Sequence, residues 1–320
     1  MILILSDEND LHADIVMKIL ENANVNFVRM NLGKEALLRT FITFKNYDWY
    51  VDTSKYKFKS SQIKAVWNRR TYVELLLDEY NDGNSDFKIW KSEWNKTLLG
   101  LYNSLTNAVW LNNYRNSQRA ENKYLQMEIA KEIGFLMPDI IVSNQKNELL
   151  DFAKKHKFVA LKLMHQDFYK SIDGQYQGLY VNRITENSLL KFKDSGENSI
   201  VLQKYIEKSY EVRYTVVNDE HFVCRIDSQS SEKAKFDWRR YDIANTPHSI
   251  IEPPKEIFLK VQKLMQTLNL FYGALDFIVD KNEQWYFLEI NSMGQYLWIE
   301  DLTGLQISNA ISNFLIFNSK

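Results

Sequence analysis

The sequence predicts a mixed α/β (α+β) fold, and two patterns at opposite ends of the chain indicate it. Near the start, the apolar run ILIL at residues 2–5 is followed by a helix-spaced segment and by a second predicted strand, NVNFVRMN, at 24–31. This order of strand, helix and strand favours a parallel sheet. Near the end, GALDFIVD (273–280) and QWYFLEIN (284–291) flank a polar turn, which is typical of an antiparallel hairpin.

The first part of the chain is predicted to form a Rossmann-like unit. Apolar residues at positions 15, 16, 19 and 20 have helical spacing, and Asp7 or Asn9 is expected to cap that helix. The segment IKAVWNRR is a further predicted strand that ends in Arg69 and Arg70, and residues 87–107 have an aromatic-rich helical pattern. The motif GxGxxG is missing from this unit, which argues against a dinucleotide site.

A second region is predicted to begin near residue 116 with an amphipathic helix, which Gly134 ends. The apolar face of this helix is expected to contain Tyr124, Leu125, Ile129 and Ile133. The following segments are predicted as a strand (139–143), a helix (147–157), a strand (158–164), a two-glycine loop leading into a strand (165–184), strands within 198–229, a loop-rich stretch (231–254), a helix (254–270) and, after the hairpin, a terminal helix (302–318).

Composition excludes several classes of function. Lys plus Arg (40) and Asp plus Glu (41) nearly cancel, so no global charge attracts nucleic acid or an anionic membrane. The apolar run at the start is too short for a signal peptide, and no run reaches the ~20 residues of a membrane span. A single cysteine excludes an internal disulfide and two-cysteine metal sites. We therefore expect a cytoplasmic protein that binds neither nucleic acid nor membrane.

The hairpin near the end of the chain carries the first indication of chemistry. Pairing its strands about the turn at 282–283 puts Asp276 opposite Glu289, and Asn291 follows on the same face. Opposed carboxylates repel each other unless a cation lies between them, and oxygen donors of this kind suit Mg²⁺. A solvated hairpin face would show the same alternation, so this pattern alone leaves both interpretations open.

Features upstream of the hairpin favour the metal interpretation. Lys162 is flanked by apolar residues in VALKLM, and a lysine directed into a cleft there would be a point charge for phosphate. The next loop contains Gly174 and Gly178 and could hold phosphates through its backbone N–H groups, although ordinary turns have the same composition. Lys123 near the start of a helix is more commonly explained by a solvated helix face. VLQKYIE (201–207) is typical of a strand whose backbone can bond an adenine edge.

Taken in order, these segments resemble those of the ATP-grasp ligases. The matching segments are NK (122–123), LK (161–162), QKYI (203–206), YEVR (210–213) and the final D…EIN. More specifically, NRR (68–70), FDWRRYD (236–242) and EINSMGQYLWIE (289–300) resemble the microviridin-type (graspetide) ligases, which mature ribosomal peptides. Ser292, Met293 and Tyr296 depart from the Pro-Xaa and Trp that are common at these positions in that group.

The resemblance implies an ATP-grasp fold in three parts. These are an N-terminal Rossmann-like pre-ATP-grasp domain (1–115), a central subdomain with the phosphate loop and leader-peptide contacts (116–202), and a C-terminal subdomain with metal and catalytic residues (203–320). It also implies ATP and two Mg²⁺ ions as cofactors and a ribosomally made precursor peptide, leader plus core, as partner. A homodimer is an expectation from the family alone.

The implied reaction activates Glu or Asp side-chain carboxylates of the precursor as acyl phosphates and joins them to Ser or Thr hydroxyls, which forms macrolactones. Three alternatives stay open: lactam formation with Lys amines, RimK-like addition of amino acids to a protein, and a non-catalytic binding module. The presence of both lysines and of all three metal-ligand positions argues against the last.

By the same resemblance, individual residues receive roles at the nucleotide. Phosphates would be contacted by Lys123 and Lys162, the adenine pocket would be lined by Gln203, Lys204 and Ile206, and the ribose hydroxyls would donate to Glu211.

The resemblance likewise supplies the metal and catalytic roles. Asp276, Glu289 and Asn291 would hold the two Mg²⁺ ions, with Glu289 bridging them. Arg213 and Arg239 would face the transferred phosphoryl group, because the planar guanidinium suits phosphate oxygens.

Several of these residues have structural alternatives. Arg213 could pair with Glu211 along one strand. The stretch 295–298 could form a wall beside the acceptor peptide or simply pack in the core. Arg69 and Arg70 could bind acidic groups of the precursor or cap a strand end at the domain interface.

Overall fold

The computed structural model describes residues 1–76, 79, 84–162, 164, 168–170, 176–178, 182–191, 198–231 and 245–320. The helices of the described residues are α1 (Leu11–Asn22), α2 (Lys34–Leu38), α3 (Ser85–Ser104), α4 (Tyr114–Ala120), α5 (Lys123–Ile133), α6 (Lys146–His156), α7 (Glu186–Leu189), α8 (Lys255–Leu268), α9 (Leu297–Thr303) and α10 (Ile307–Asn318).

Their strands are β1 (Ile2–Ser6), β2 (Phe27–Asn31), β3 (Phe41–Lys45), β4 (Asp48–Asp52), β5 (Lys57–Lys59), β6 (Ala65–Asn68), β7 (Val109–Leu111), β8 (Ile140–Ser143), β9 (Val159–Lys162), β10 (Phe168–Lys170), β11 (Tyr176–Gly178), β12 (Asn182–Ile184), β13 (Ile200–Lys204), β14 (Lys208–Val217), β15 (Glu220–Ile226), β16 (His248–Ile250), β17 (Tyr272–Asp280) and β18 (Trp285–Asn291).

A parallel four-stranded sheet in the order β2-β1-β6-β7 forms the N-terminal region, as predicted from the first elements. All five residues of β1 are buried, because helices cover both faces of the sheet, and this explains why the strand is a continuous apolar run. The expected cap of α1 was wrong. Asp10 immediately precedes the helix and its carboxylate accepts from the His12 backbone N–H, whereas Asp7 forms an ion pair with Arg70.

A small antiparallel sheet, β3-β4-β5, follows α2 and was not predicted. Its first two strands are joined by Asn46 and Tyr47, both with positive φ (53° and 60°), which is the backbone geometry of a tight hairpin turn. The strand Phe41–Lys45 is mostly exposed, so it lacks the buried apolar alternation that would have indicated it in the sequence.

The helix predicted around residues 117–138 consists of two helices, α4 and α5. Asn122 breaks it, because its side chain accepts from the backbone N–H groups of Tyr124 and Leu125 and so caps a new helix. Gly134 ends α5 in the left-handed conformation, with φ 89°, as expected. Tyr124 was wrongly assigned to the apolar face: it lies in the first turn and is exposed, whereas Ile129 is buried.

The predicted elements between residues 139 and 204 form a second antiparallel sheet, β12-β9-β13-β8. One face, with Val159, Leu161 and Leu202, packs on α6 and α7 through Leu149 and Leu189. Directly opposed residues point to the same face of a sheet, and Lys162 is opposite Val201 while Gln203 is opposite Ala160. Lys162 and Gln203 therefore share the other face.

The largest sheet is antiparallel, in the order β16-β15-β14-β17-β18. Residues of β14 alternate strictly: Val212, Tyr214 and Val216 pack into a large core with α5 and α8, and Arg213 and Thr215 point to the opposite face. The predicted helix at 254–270 is α8, which covers this core, and the predicted terminal helix is α10.

A shared core joins the two ends of the chain. Ile4 of β1 and Val16 of α1 pack in the same cluster as Cys224 of β15, Tyr296 and Ile311 of α10. The large sheet is therefore covered on its second face by helices of both the N-terminal and the C-terminal regions. No helix in the described part of the chain is long and apolar enough to cross a membrane.

Candidate active site

A row of side chains crosses the large sheet from β15 to β18. Cys224 is opposite Arg213, Arg213 is opposite Asp276, and Asp276 is opposite Glu289. Because directly opposed residues share a face, the arginine and the two carboxylates lie side by side. Asn291, which is opposite Ala274, is in the neighbouring row of the same face. The predicted pairing of Asp276 with Glu289 is confirmed.

This pairing depends on a β-bulge that the sequence did not indicate. Beside the turn, Val279 is opposite Trp285 and Phe277 is opposite Phe287, which is one residue away from the predicted register. The register shifts between Phe277 and Asp276, so Leu288 is the extra residue of β18. Without this bulge, Leu288 would be opposite Asp276 and Glu289 would point to the other face of the sheet.

Two cationic side chains, Arg213 and Lys123, compensate the negative charge of Asp276 and Glu289. Arg213 Nε lies 2.9 Å from Asp276 Oδ1, and both side chains are nearly buried. Lys123, the first residue of α5, places Nζ 3.3 Å from Glu289 Oε2 and donates to Asn291 Oδ1 at 3.1 Å. In place of the alternative pairing of Arg213 with Glu211, the structure pairs Arg213 with Asp276 and pairs Glu211 with Lys208 at 2.8 Å.

The aromatic stretch after β18 reaches the same place. The ring of Trp298 lies 5.9 Å from the guanidinium carbon of Arg213, which is a cation–π distance. Gly294 also approaches the site: a Cβ there would lie 2.6 Å from Ala274 Cβ and 3.5 Å from Arg213 Nη1. Tyr296, in contrast, is fully buried in the shared core. Tyr296 therefore packs in the core, as one alternative expected, whereas Trp298 packs against the same core and also lies beside the arginine. A wall beside the acceptor peptide stays a prediction.

The two arginines at the end of β6 are engaged within the protein. Arg69 is almost fully buried, places Nε 3.1 Å from Asp10 Oδ2 and donates from Nη1 to the Met293 carbonyl at 3.1 Å. Arg70 pairs with Asp7 at 3.0 Å and Glu74 at 3.3 Å. These contacts support the interface alternative for Arg69.

The residues expected at the nucleotide lie on two sheets. Lys162 and Gln203 share one face of the sheet β12-β9-β13-β8. Lys204, on the same sheet, donates its backbone N–H to the Asp139 carbonyl at 2.7 Å. Ile206 is buried in the connection to β14, and Glu211 follows on β14 itself. Arg239 and Gly174 lie outside the described residues, and Gly178 ends β11.

Sequence reasoning missed three polar residues that hold β18 and the loop after it. Gln126 donates to the Ile290 carbonyl (2.8 Å) and accepts from the Ile290 N–H (3.0 Å), as a neighbouring strand would. Glu121 accepts from Ser292, and Asn112 donates to the Ser292 carbonyl. Of the three, only Gln126 could have been suspected from the sequence, because it is a polar residue beside the apolar positions of α5.

The chemistry available in this site is that of charge and oxygen donors. Two carboxylates and an amide suit Mg²⁺ completed by phosphate oxygens and water. No group of three or more His, Cys, Asp or Glu side chains in the described part of the chain is arranged as a metal cage. Cys224 contributes no nucleophile, because burial raises the pKa of its thiol to about 12.

Comparison with known families agrees with this geometry. A family model described as the MvdD pre-ATP grasp domain matches residues 1–118, and one described as the RimK-like ATP-grasp domain matches residues 120–315. The second match covers more than half of the chain. The protein therefore belongs to the RimK-like ATP-grasp family and is an ATP-grasp ligase. The MvdD-type domain confirms the predicted resemblance to microviridin-type maturases and the predicted Rossmann-like pre-ATP-grasp domain of the fold.

Solved structures resemble the whole chain. A RiPP-associated ATP-grasp ligase of Chryseobacterium gregarium, in complex with ADP and a leader and core peptide, is 28% identical, with a TM-score of 0.84 over 98% of this chain and 96% of that chain. The macrocyclase MdnB of Microcystis aeruginosa MRC is 26% identical, with a TM-score of 0.79 and 99% of both chains covered. MdnC of the same organism, bound with precursor peptide MdnA, is 24% identical, with a TM-score of 0.85 and 99% of both chains covered. No curated protein matches the sequence.

Proposed function

We propose that this ligase is an ATP-dependent macrocyclase of a ribosomally made precursor peptide. It activates Glu or Asp side-chain carboxylates of the peptide and joins them to Ser or Thr hydroxyls, giving macrolactone rings. The observation that carries the proposal is the row of Arg213, Asp276 and Glu289, with Lys123 and Asn291 beside it. The peptide and ADP bound by the Chryseobacterium gregarium ligase support a precursor peptide and ATP as the substrates.

The three oxygen donors fit a magnesium site. Asp276, Glu289 and Asn291 supply carboxylate and amide oxygens from adjacent strands, and we assign them to two Mg²⁺ ions with Glu289 shared. When bound, Mg²⁺ neutralises charge on the transferred phosphoryl group. Lys123 and Arg213 already supply positive charge around the same carboxylates.

We assign the nucleotide to a position between the row on the large sheet and the face of the sheet β12-β9-β13-β8 that contains Lys162 and Gln203. Lys162 and Lys123 would hold the phosphates, Glu211 the ribose hydroxyls, and Gln203, Lys204 and Ile206 the adenine. The division into 1–115, 116–202 and 203–320, with leader contacts in the central part, belongs to the same proposal, as does a homodimer.

The proposed reaction has two steps, activation of the carboxylate and transfer of the acyl group. A peptide carboxylate oxygen attacks the γ-phosphorus of ATP, the bond to ADP breaks, and an acyl phosphate forms. The hydroxyl oxygen of the acceptor then attacks the acyl carbon, phosphate leaves with the bonding pair, and the hydroxyl proton is released. Arg213 and Arg239 would hold the phosphate oxygens through both steps, because a guanidinium donates two parallel hydrogen bonds.

Mass spectrometry of the peptide product tests this function. Candidate peptides, best taken from a short neighbouring reading frame with repeated Thr or Ser and Glu or Asp, are incubated with ATP and Mg²⁺. Loss of one water for each link, reversed by mild alkaline hydrolysis, is the expected result. Water loss that resists alkali indicates lactams with Lys amines. A mass gain with free amino acids would instead assign the RimK-like reaction, which the family match makes the second candidate.

A further inference from the structure

His12 connects the N-terminal region to the stretch that follows β18. Its Nε2 lies 3.1 Å from the backbone nitrogen of Tyr296 and 3.4 Å from that of Leu297. Backbone N–H groups only donate, so Nε2 carries the lone pair and Nδ1 carries the hydrogen. That hydrogen is directed at Asp10 Oδ1, 3.2 Å away, which fixes the tautomer and the orientation of the ring.

The same carboxylate holds a second contact to this stretch. Asp10 also accepts from Arg69, and Arg69 Nη1 donates to the Met293 carbonyl. Burial raises the pKa of Asp10, but hydrogen bonds from His12 and the charge and hydrogen bonds of Arg69 outweigh this and hold it well below the usual value. The ionised Asp10 therefore holds one end of the stretch 293–297 through Arg69 and the other end through His12.

The stretch held in this way borders the candidate catalytic row. Gly294 lies against Ala274 and close to Arg213 Nη1, and its carbonyl accepts from the Tyr272 hydroxyl at 2.7 Å. Trp298 follows directly after the residues bonded by His12, and its ring faces the guanidinium of Arg213. A displacement of residues 296–297 would move Trp298 relative to Arg213.

We propose that His12 is a positioning residue of this ligase. By accepting from the N–H groups of Tyr296 and Leu297, it sets the start of α9 and hence the location of Trp298 over Arg213. This inference rests on the proposed function, because Arg213 matters only if the row performs phosphoryl transfer. An alternative is that His12 merely packs on Tyr296, whose ring it meets edge-on at 4.7 Å.

Two amide variants, each of which reproduces the position of one ring nitrogen, separate hydrogen bonding from packing. In His12→Gln, the side-chain oxygen can occupy the place of Nε2 and accept from the two backbone N–H groups. In His12→Asn, the shorter amide can reach Asp10 but not residues 296–297. The matched control is His221→Gln, since His221 is a half-buried histidine bonded to the Tyr214 hydroxyl and outside the machinery assigned above.

Two measurements are made on the full chain: hydrogen exchange of the segment 293–299 by mass spectrometry, and kcat and KM for ATP and peptide. For His12→Asn we expect about tenfold faster exchange, the scale of one lost hydrogen bond, and about a tenfold lower kcat with KM for ATP unchanged. His12→Gln and His221→Gln should match the wild type in both.

Each other outcome is informative. Unchanged exchange in a folded His12→Asn variant, or faster exchange without a change in kcat, overturns the positioning role. If His12→Asn fails to fold, His12→Gln decides, because a packing role predicts a loss in that variant also. A wild-type protein that modifies no peptide refutes the proposed function, and the exchange measurement then still reports whether His12 holds the stretch.

Discussion

Two buried arginine–aspartate pairs lie in the described part of the chain, Arg69–Asp10 and Arg213–Asp276, and their surroundings differ. The side chains are 3% and 3% exposed in the first pair and 8% and 12% in the second. In the first pair, Asp10 also accepts from Ser6 and His12, and Arg69 reaches a backbone carbonyl. Each of these partners is a side chain or backbone group of the protein that holds one segment of the chain against another.

The second pair has neighbours that suit a ligand. Next to Asp276 lies a second carboxylate, Glu289, with Lys123 in contact, and above Arg213 lies the ring of Trp298. Burying an ion pair costs much of its Coulombic gain, so such pairs persist where geometry or function needs them. We infer that Arg69–Asp10 holds the fold together near the site, whereas Arg213–Asp276 takes part in the reaction.

The largest expected effect concerns the carboxylate beside the second pair. Glu289→Gln keeps the size of the side chain and one oxygen donor but removes the negative charge and the second carboxylate oxygen, so the proposed metal site can no longer share this residue between two ions. We expect product formation to fall by about 10³-fold, the scale for a group that neutralises transferred phosphoryl charge. Liquid chromatography with mass detection of the cyclised peptide measures it. Glu283→Gln, at the exposed turn of the same hairpin, is the control, and equal activity of both variants would refute the metal assignment.

The same substitution in both pairs tests the comparison itself. Arg213→Lys keeps the charge beside Asp276 but loses the planar fork, so turnover should fall by about 100-fold. Arg69→Lys loses the bond to Met293 and should lower the free energy of unfolding by about 1–2 kcal/mol, with less than about tenfold loss of turnover. Denaturant titration and steady-state kinetics on both variants give the result. If Arg69→Lys lost more turnover than Arg213→Lys, the roles that we assign to the two pairs would have to be exchanged.

A smaller effect is expected from the close approach of Gly294 to the second pair. In Gly294→Ala, the new methyl group would lie 2.6 Å from Ala274 Cβ, so the loop must shift away from Ala274 and change its position relative to Arg213. We expect about a tenfold lower kcat. Adding Ala274→Gly removes the opposing methyl group and should restore much of the rate. Failure of this rescue would show that the loss has a cause other than the clash.

The smallest effect concerns pH and the first pair. Burial lowers the pKa of His12, and Asp10, Arg69 and Arg70 are the charged groups that act on it. The stabilisation from neutral His12 is thus complete above the unfolded-state pKa of about 6.5 and is lost as pH falls toward the lower folded-state pKa. The free energy of unfolding of the wild type, measured relative to that of His12→Gln, should decrease between pH 7 and 5. Thermal unfolding of both proteins measures this, and a constant difference would contradict it.

Much of the site could be predicted because strands alternate and paired residues share a face. Asp276, Glu289 and Asn291 were found by that rule, and the ordered segments at Lys123, Lys162 and Gln203 then indicated the family. The supporting residues could not be found in this way. Asp10 and Arg69 are 59 residues apart, and Arg69 and Met293 are 224 apart, so no local pattern relates them.

The sequence by itself determined the order of the elements, the parallel N-terminal sheet, the C-terminal hairpin and the class of ligase, because periodicity and short motifs are local properties. Only the tertiary structure decided the bulge at Leu288, which brings Glu289 to the side of Asp276. It also decided that Tyr296 packs in the core while Trp298 faces Arg213. Both outcomes depend on contacts between distant segments, and such contacts form only when the strands and helices have packed together.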